Sequence, residues 1–209
     1  MTVSDLDFAS LCYATYFDAS RFDRILSVSE VYVGIKERAD LTVVAFRGSA
    51  AGIDWIRDFE YEMIEDPDLG GVEMGFMTGL RETLKQLQPF TKPVYITGHS
   101  LGAARALIFA ALMCVSGMKP ESVVTFGSPR PGGEKLKTIL APVSIKSYRN
   151  GKDPVTGVPF TLANEPYCHP RDLTPVLIQP IAGDPYLMMR DHHIQNYLGA
   201  LVLAGDANG

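Results

Sequence analysis

Two periods of hydrophobic positions alternate along the chain. Residues 4–17, SDLDFASLCYATYF, place Leu6, Leu11 and Tyr13 among other apolar residues behind a Ser4 cap, which predicts a helix. Residues 30–37 and 41–48, EVYVGIKE and LTVVAFRG, are β-branched runs joined across Ala39-Asp40 and predict a hairpin. Residues 76–88 return to helical spacing at Phe76, Leu80, Leu84 and Leu87, with Pro89 as the stop. Short strands are predicted at 94–98 (VYITG), 122–127 (SVVTFG) and 143–150 (VSIKSYRN). The first two flank a helix at 101–115 that is apolar nearly all round, the pattern of a buried helix. A last helix at 192–203 carries Ile194, Tyr197, Leu198 and Leu201 on one face. Strands alternating with helices beyond residue 75 predict an α/β fold with a mostly parallel central sheet, and the length fits one domain over residues 1–209.

Composition narrows the function classes. A hydrophobic fraction of 46% and a charged fraction of 21% are ordinary for a globular protein. A formal net charge of −5 offers no basic footprint for nucleic acid and little attraction to anionic membranes. Cys12, Cys114 and Cys168 stand too far apart for a disulfide framework or a zinc site and read as buried free thiols. The first ten residues, MTVSDLDFAS, lack a basic segment followed by an apolar one, and no apolar run approaches the ~18 residues of a membrane span. The expectation is a protein without a transmembrane segment, located in the cytoplasm or released by a non-classical route.

Chemistry concentrates where the 94–98 strand meets the 101–115 helix. Gly98-His99-Ser100-Leu101-Gly102 is a G-x-S-x-G sequence. Between a strand and a helix this sequence makes a sharp turn that lifts the serine hydroxyl above the carboxyl end of the sheet. Small residues on either side let the backbone turn so tightly. The N–H groups opening the helix, beginning with that of Leu101, point at the same place and favour developing negative charge.

A serine hydroxyl needs a base, and the base needs an orienting carboxylate, in the chain order serine, acid, histidine. His99 lies inside the turn, and His169 lies in a proline-flanked segment. His192 and His193 open the last helix and are the candidates for the base. Asp153, Asp172 and Asp184 are candidates for the acid. Asp153 directly follows a predicted strand, where this fold builds its sites. Asp191 adjoins His192 and reads as a helix cap. No metal-binding helix or nucleotide phosphate loop occurs, so no metal and no cofactor is expected.

From about residue 30 onward the chain resembles the class 3 lipases, in particular the short prokaryotic or phage type. Seven blocks carry the resemblance in order: VVAFRGSA, IDWIRDF, GVEMGFMTGL, ITGHSLGAA, VVTFGSPRPGG, YRNGKDPVTGVP and DHHIQNY. The resemblance implies an α/β-hydrolase fold with helices on both faces of the sheet. It implies Ser100 as nucleophile, Asp153 as acid, and Ser49 with Leu101 as the oxyanion hole. It selects His192 over His193 through the pattern Asp-His-x-Ile-x-x-Tyr. Trp55 falls in the segment that forms a lid in fungal members and is the candidate contact for an acyl chain. Apart from the resemblance, Leu187, Met188 and Met189 just before His192 read first as core residues and second as the lining of an acyl pocket. Glu73 stands where the family usually has histidine. The implied activity is hydrolysis of short- to medium-chain acyl esters, with transient contact to a lipid interface. Phospholipase A1 or acyltransferase chemistry would use the same residues, and a silent lipase-like interaction protein would need them damaged.

Overall fold

The computed structural model describes residues 3–49, 62–159, 166–176 and 190–206. Helix α1 (Asp5–Phe17) precedes strands β1 (Arg24–Val28), β2 (Val31–Glu37) and β3 (Thr42–Phe46). A small hairpin, β4 (Met63–Asp66) and β5 (Gly70–Glu73), leads into α2 (Met74–Met77) and α3 (Leu80–Leu87). Then follow β6 (Val94–His99), α4 (Leu101–Val115), β7 (Ser122–Phe126), α5 (Glu134–Ile139), β8 (Ser144–Asn150), β9 (Leu173–Val176) and α6 (Ile194–Asp206). The main sheet runs in the order β1-β2-β3-β6-β7-β8-β9. Its first two pairings are antiparallel and the other four are parallel.

Side-chain alternation along the strands divides the core in two. Val44 and Phe46 of β3, Ile96 of β6 and Val123 of β7 face one side, with α3, α4 and α5 packed over them. Val43, Ala45, Val124 and Phe126 face the other side, under α1 and α6. Helix α4 is buried continuously from Gly102 to Met113, as its unbroken apolar sequence requires. The architecture is α/β-hydrolase-like, with helices on both faces of a mostly parallel sheet.

Local sequence explains most boundaries. Ser4 and Asp7 form a reciprocal cap on α1: Asp7 N–H donates to Ser4 Oγ (3.1 Å), and Ser4 N–H donates to the Asp7 carboxylate (3.3 Å). Leu6 lies off the buried face of that helix. The helix predicted over 76–88 is two helices. Gly79 takes a left-handed φ of 80° between them, close against Val31 and the carbonyl of Val28, and the chain turns there. The last helix begins at Ile194, two residues later than its apolar spacing suggests. Strands β1 and β9 lie at the sheet edges and bear mixed side chains, Pro175 among them in β9, so neither announces itself by alternation.

Register brings the site together. Phe46 pairs with Gly98, Gly98 with Thr125, and Thr125 with Ser147, so β3, β6, β7 and β8 run in step toward one edge of the sheet, with β8 continuing to Asn150. Residues just past those ends (Ser49, Ser100, Gly127 and Asp153) therefore share one edge, the carboxyl edge where open α/β sheets bind ligands. The turn after β6 fits only because Gly98 and Gly102 lack side chains. A Cβ on Gly98 would lie 2.8 Å from the nitrogen of Ala103, and one on Gly102 would lie 2.7 Å from the carbonyl carbon of Arg47. Those neighbours are backbone and cannot rotate away. Gly98→Ala and Gly102→Ala should each lose about 1–3 kcal/mol of stability through overpacking. Gly205→Ala, where a Cβ meets nothing within 4 Å, is the control. Urea unfolding checks this, and equal midpoints for all three would contradict it.

Candidate active site

Ser100 sits at the turn with φ 59° and ψ −131°. A non-glycine residue in that region carries strain of about 1–3 kcal/mol and persists only where its surroundings hold it. Here its N–H donates to the Phe126 carbonyl (3.0 Å) and its own carbonyl accepts from Ala103 N–H (2.9 Å). The hydroxyl lies 2.8 Å from His192 Nε2. On the far side of that ring, Nδ1 lies 2.9 Å and 3.0 Å from the two oxygens of Asp153. All three side chains are buried.

Asp153 opens a turn of 3₁₀ helix over Pro154–Gly157, and one of its oxygens accepts from Val155 N–H (2.9 Å). The other accepts from the Tyr197 hydroxyl (2.5 Å). Burial pushes the carboxyl pKa up, but His192 and the donors from His192, Tyr197 and Val155 outweigh it and hold the group below its ordinary range. An ionised carboxylate accepts from Nδ1–H, which leaves Nε2 to accept the serine proton. Gly127, at φ 58°, roofs this pair: a Cβ there would lie 2.6 Å from Asp153 Oδ2 and 3.0 Å from His192 Nδ1.

The loops that carry the acid and the histidine are bound to each other. Lys152 N–H donates to Asp191 Oδ2 (2.8 Å), and Asn150 Nδ2 donates to the Asp191 carbonyl (3.0 Å). Asp191 is thus a strut between loops, a correction to its reading as a helix cap. His193 is exposed at the rim of the site. His169 donates from Nε2 to the Thr156 carbonyl (2.8 Å), and Asp172 is exposed ahead of β9. Asp184, Trp55, Leu187, Met188 and Met189 lie outside the described residues.

A cavity of about 280 Å³ opens beside Ser100, lined by Tyr16, Phe17, Arg47, Ser49, His193 and Gln195 among others. Ser49 faces it from the end of β3, and Leu101 begins α4 directly after Ser100, where helix N–H groups have no intrahelical partner. Glu73 lies off this cavity and caps α2, accepting from Phe76 N–H (2.6 Å). Three contributors escaped the sequence reading: Tyr197, Gly127 and Tyr16. A tyrosine in an apolar helical stripe was the available sign for Tyr197, since a buried hydroxyl must find a partner.

Fold and site together define an α/β-hydrolase with a serine, a histidine and an aspartate in hydrogen-bonded series. The family model for Lipase (class 3) matches residues 43–163, and the chain belongs to that family. A secreted mono- and diacylglycerol lipase of Fusarium solani is 32% identical over 142 residues, 61% of this chain and 42% of the relative. A second such lipase, from Gibberella zeae, is 30% identical over 206 residues, covering 76% of this chain and 49% of the relative. A phospholipase A(1) of Arabidopsis thaliana is 30% identical over 148 residues, covering 56% and 33%. The chain thus spans less than half the length of these curated relatives. Among solved structures, the Rhizomucor miehei triacylglyceride lipase superposes with a TM-score of 0.66 at 19% identity, over 82% of this chain and 77% of that one, a likeness of fold.

The expectation of a cytoplasmic or non-classically released protein is corrected by the same comparison, because the Fusarium and Gibberella relatives are named as secreted. The first residues of a chain that spans under half of its relatives are no guide to its compartment.

His99 gives the site a pH signature. Burial first, and the neighbouring His192 second, hold its pKa down to about 3 from an ordinary 6.5. The carboxylate of Asp153 opposes the shift and His193 adds to it. Below pH 6.5 the unfolded chain takes up a proton that the folded chain refuses. This contribution is therefore complete above 6.5 and declines as pH falls toward 3, by up to about 1.4 kcal/mol per pH unit. Asp153 adds a loss of the same sign below its ordinary 3.8. His99→Gln should flatten the fall in urea midpoint between about pH 6.5 and about pH 4.5. An unchanged slope would show that His99 protonates in the folded protein.

Proposed function

We propose that this chain is a serine carboxylic ester hydrolase of the lipase and esterase type, with Ser100 as nucleophile, His192 as base and Asp153 as its orienting acid. One observation carries the reading: a single buried ring bonds Ser100 through Nε2 and Asp153 through Nδ1. Ser100 Oγ attacks the ester carbonyl carbon while its proton passes to His192 Nε2. The tetrahedral oxyanion lies against the N–H groups of Leu101 and Ser49. Collapse breaks the bond to the alcohol, which leaves with the proton from His192, and Ser100 keeps the acyl group. Water then repeats the sequence, giving its proton to His192, and the acid departs as the serine is restored. Asp153 stays ionised throughout and stabilises the imidazolium.

Short- to medium-chain acyl esters suit the cavity, whose volume of about 280 Å³ lies just below the ~300–1,000 Å³ usual for small-molecule sites. The exposed Phe17 on its rim (60% accessible) suits brief contact with a lipid surface. The named secretion of the relatives supports action outside the cell. Phospholipase A1 activity is the second reading, favoured by the Arabidopsis relative.

Ser100→Ala should fold normally and lose covalent labelling by a serine-directed phosphonate. Asp153→Asn should reduce turnover by a factor of about 10⁴ through the wrong histidine tautomer. His192→Ala should be inactive, while His193→Ala keeps most activity. Labelling that persists without Ser100 would move the nucleophile elsewhere.

The substrate class is decided by initial rates on p-nitrophenyl esters of increasing chain length, emulsified triglyceride and phosphatidylcholine, with Ser100→Ala as blank. The expected order places short and medium esters first. A sharp rise in rate above the solubility limit of a long-chain triglyceride would overturn that order, and dominant release of fatty acid from phosphatidylcholine would establish the phospholipase reading.

A further inference from the structure

We propose that Tyr16 and His99 are positioning residues that lock the loop after β3 to the loop bearing His192. The proposal rests on the ester hydrolase reading above. Three hydrogen bonds carry it. His99 Nε2 lies 2.7 Å from the His192 carbonyl oxygen, His99 Nδ1 lies 3.0 Å from the Tyr16 hydroxyl, and Gly48 N–H donates to that same hydroxyl oxygen at 3.1 Å.

The polarity of this series follows from the groups themselves. A carbonyl oxygen only accepts, so His99 carries its proton on Nε2. The neutral ring then accepts at Nδ1, so the Tyr16 O–H donates there. The Tyr16 oxygen is left to accept from Gly48. Each bond then has one direction, and the ring stays neutral because its site resists protonation. That neutrality matters: the His99 and His192 rings lie 4.7 Å apart, and a charged His99 would oppose the imidazolium formed in turnover.

The two ends of the series are the two parts that must be placed for catalysis. His192 precedes α6, and among the described residues the donor to its carbonyl is His99. Gly48 is pressed against the turn: a Cβ there would lie 2.7 Å from the His99 carbonyl and 3.1 Å from Ser100 Cβ. Ser49 follows directly. Helix α1, which the hydrolysis steps never use, thus reaches through Tyr16 to both the oxyanion side and the base side of Ser100.

The test uses Tyr16→Phe, His99→Leu, His99→Gln and the double variant Tyr16→Phe/His99→Leu, with kcat and KM on a short p-nitrophenyl ester. Misplacing reacting groups by about 1 Å can cost about 10²-fold. Tyr16→Phe and His99→Leu should each lower kcat by about 10- to 100-fold with KM changed less than about two-fold. His99→Gln should stay within about five-fold of wild type, because a carboxamide both donates and accepts. The double variant should be no slower than the slower single, as members of one network are not additive. Losses that multiply, a glutamine no better than leucine, or an effect confined to KM would overturn the proposal. If His99→Leu fails to fold, Tyr16→Phe and His99→Gln decide it alone, the first slow and the second near wild type. If the wild-type protein hydrolyses no ester, the hydrolase reading fails. The rate of phosphonate labelling at Ser100 in the same variants then tests the positioning separately, with the same pattern expected.

Discussion

The left-handed backbone of Ser100 is the constraint on which the carboxyl edge of the sheet depends. A φ of 59° on a residue with a side chain is unfavourable in isolation. It is imposed by β6 and α4 meeting at a turn too tight for anything larger than glycine at Gly98 and Gly102. Those two contacts reach in different directions, Gly98 into the first turn of α4 and Gly102 onto the end of β3. The turn therefore sets both the height of the serine hydroxyl and its distance from Arg47, Gly48 and Ser49. Strain at one residue is offset by the packing of a long apolar helix on one face of the sheet, far more burial than the turn alone could supply.

Electrostatics then has to be arranged around a hydroxyl that is already fixed. A buried carboxylate is costly unless several donors reach it. Asp153 receives the Val155 N–H, the Tyr197 hydroxyl and the His192 ring, and the sum outweighs burial. The same carboxylate faces the His192 ring, whereas His99, whose ring lies 4.7 Å away and tilted by 31°, lies in a site that rejects a proton. Two neighbouring imidazoles thus differ in role because one faces a carboxylate and the other faces a carbonyl and a phenol. Histidine identity alone does not determine function; the groups presented to each nitrogen do.

Much of this was legible in the chain. The strand–turn–helix at 94–115 announces itself by a β-branched run, paired glycines and an apolar helix. Asp153 is legible as the carboxylate just beyond a parallel strand. What was hidden has physical reasons. Edge strands β1 and β9 have no buried face on both sides, so their side chains do not alternate cleanly. Gly79 reads as a tolerable helix interior in a 3.6-residue pattern, but the packing of Val28 and Val31 against it selects the left-handed turn. Tyr16 lies on a helix remote in sequence from every motif, and only the crossing of α1 under β6 brings its hydroxyl to His99. Contacts between residues 83 positions apart leave no local periodicity to read. Choosing between His192 and His193 was likewise beyond periodicity, because α6 starts after both; the family pattern chose, and the geometry brings His192 to Ser100 and leaves His193 at the rim.

Glu73 meets a different kind of constraint from the one at Ser100. The last residue of β5, it has extended backbone (φ −74°, ψ 128°) and stands at the N-cap of α2, where the first helical N–H groups need an acceptor. Its carboxylate supplies one to Phe76, and Arg105, which donates to the carbonyls of Glu30 and Gly75, contributes positive charge nearby. Any side chain that can accept there and remain buried satisfies the position, which is a requirement on hydrogen bonding and not on one amino acid. Ser100 and its glycines meet a requirement on backbone shape, which admits almost no substitutes. The fold is shared with the Rhizomucor lipase at 19% identity; within this chain the turn is held by close backbone approach at Gly98 and Gly102, where any Cβ would collide, whereas the place of Glu73 is held by a buried acceptor.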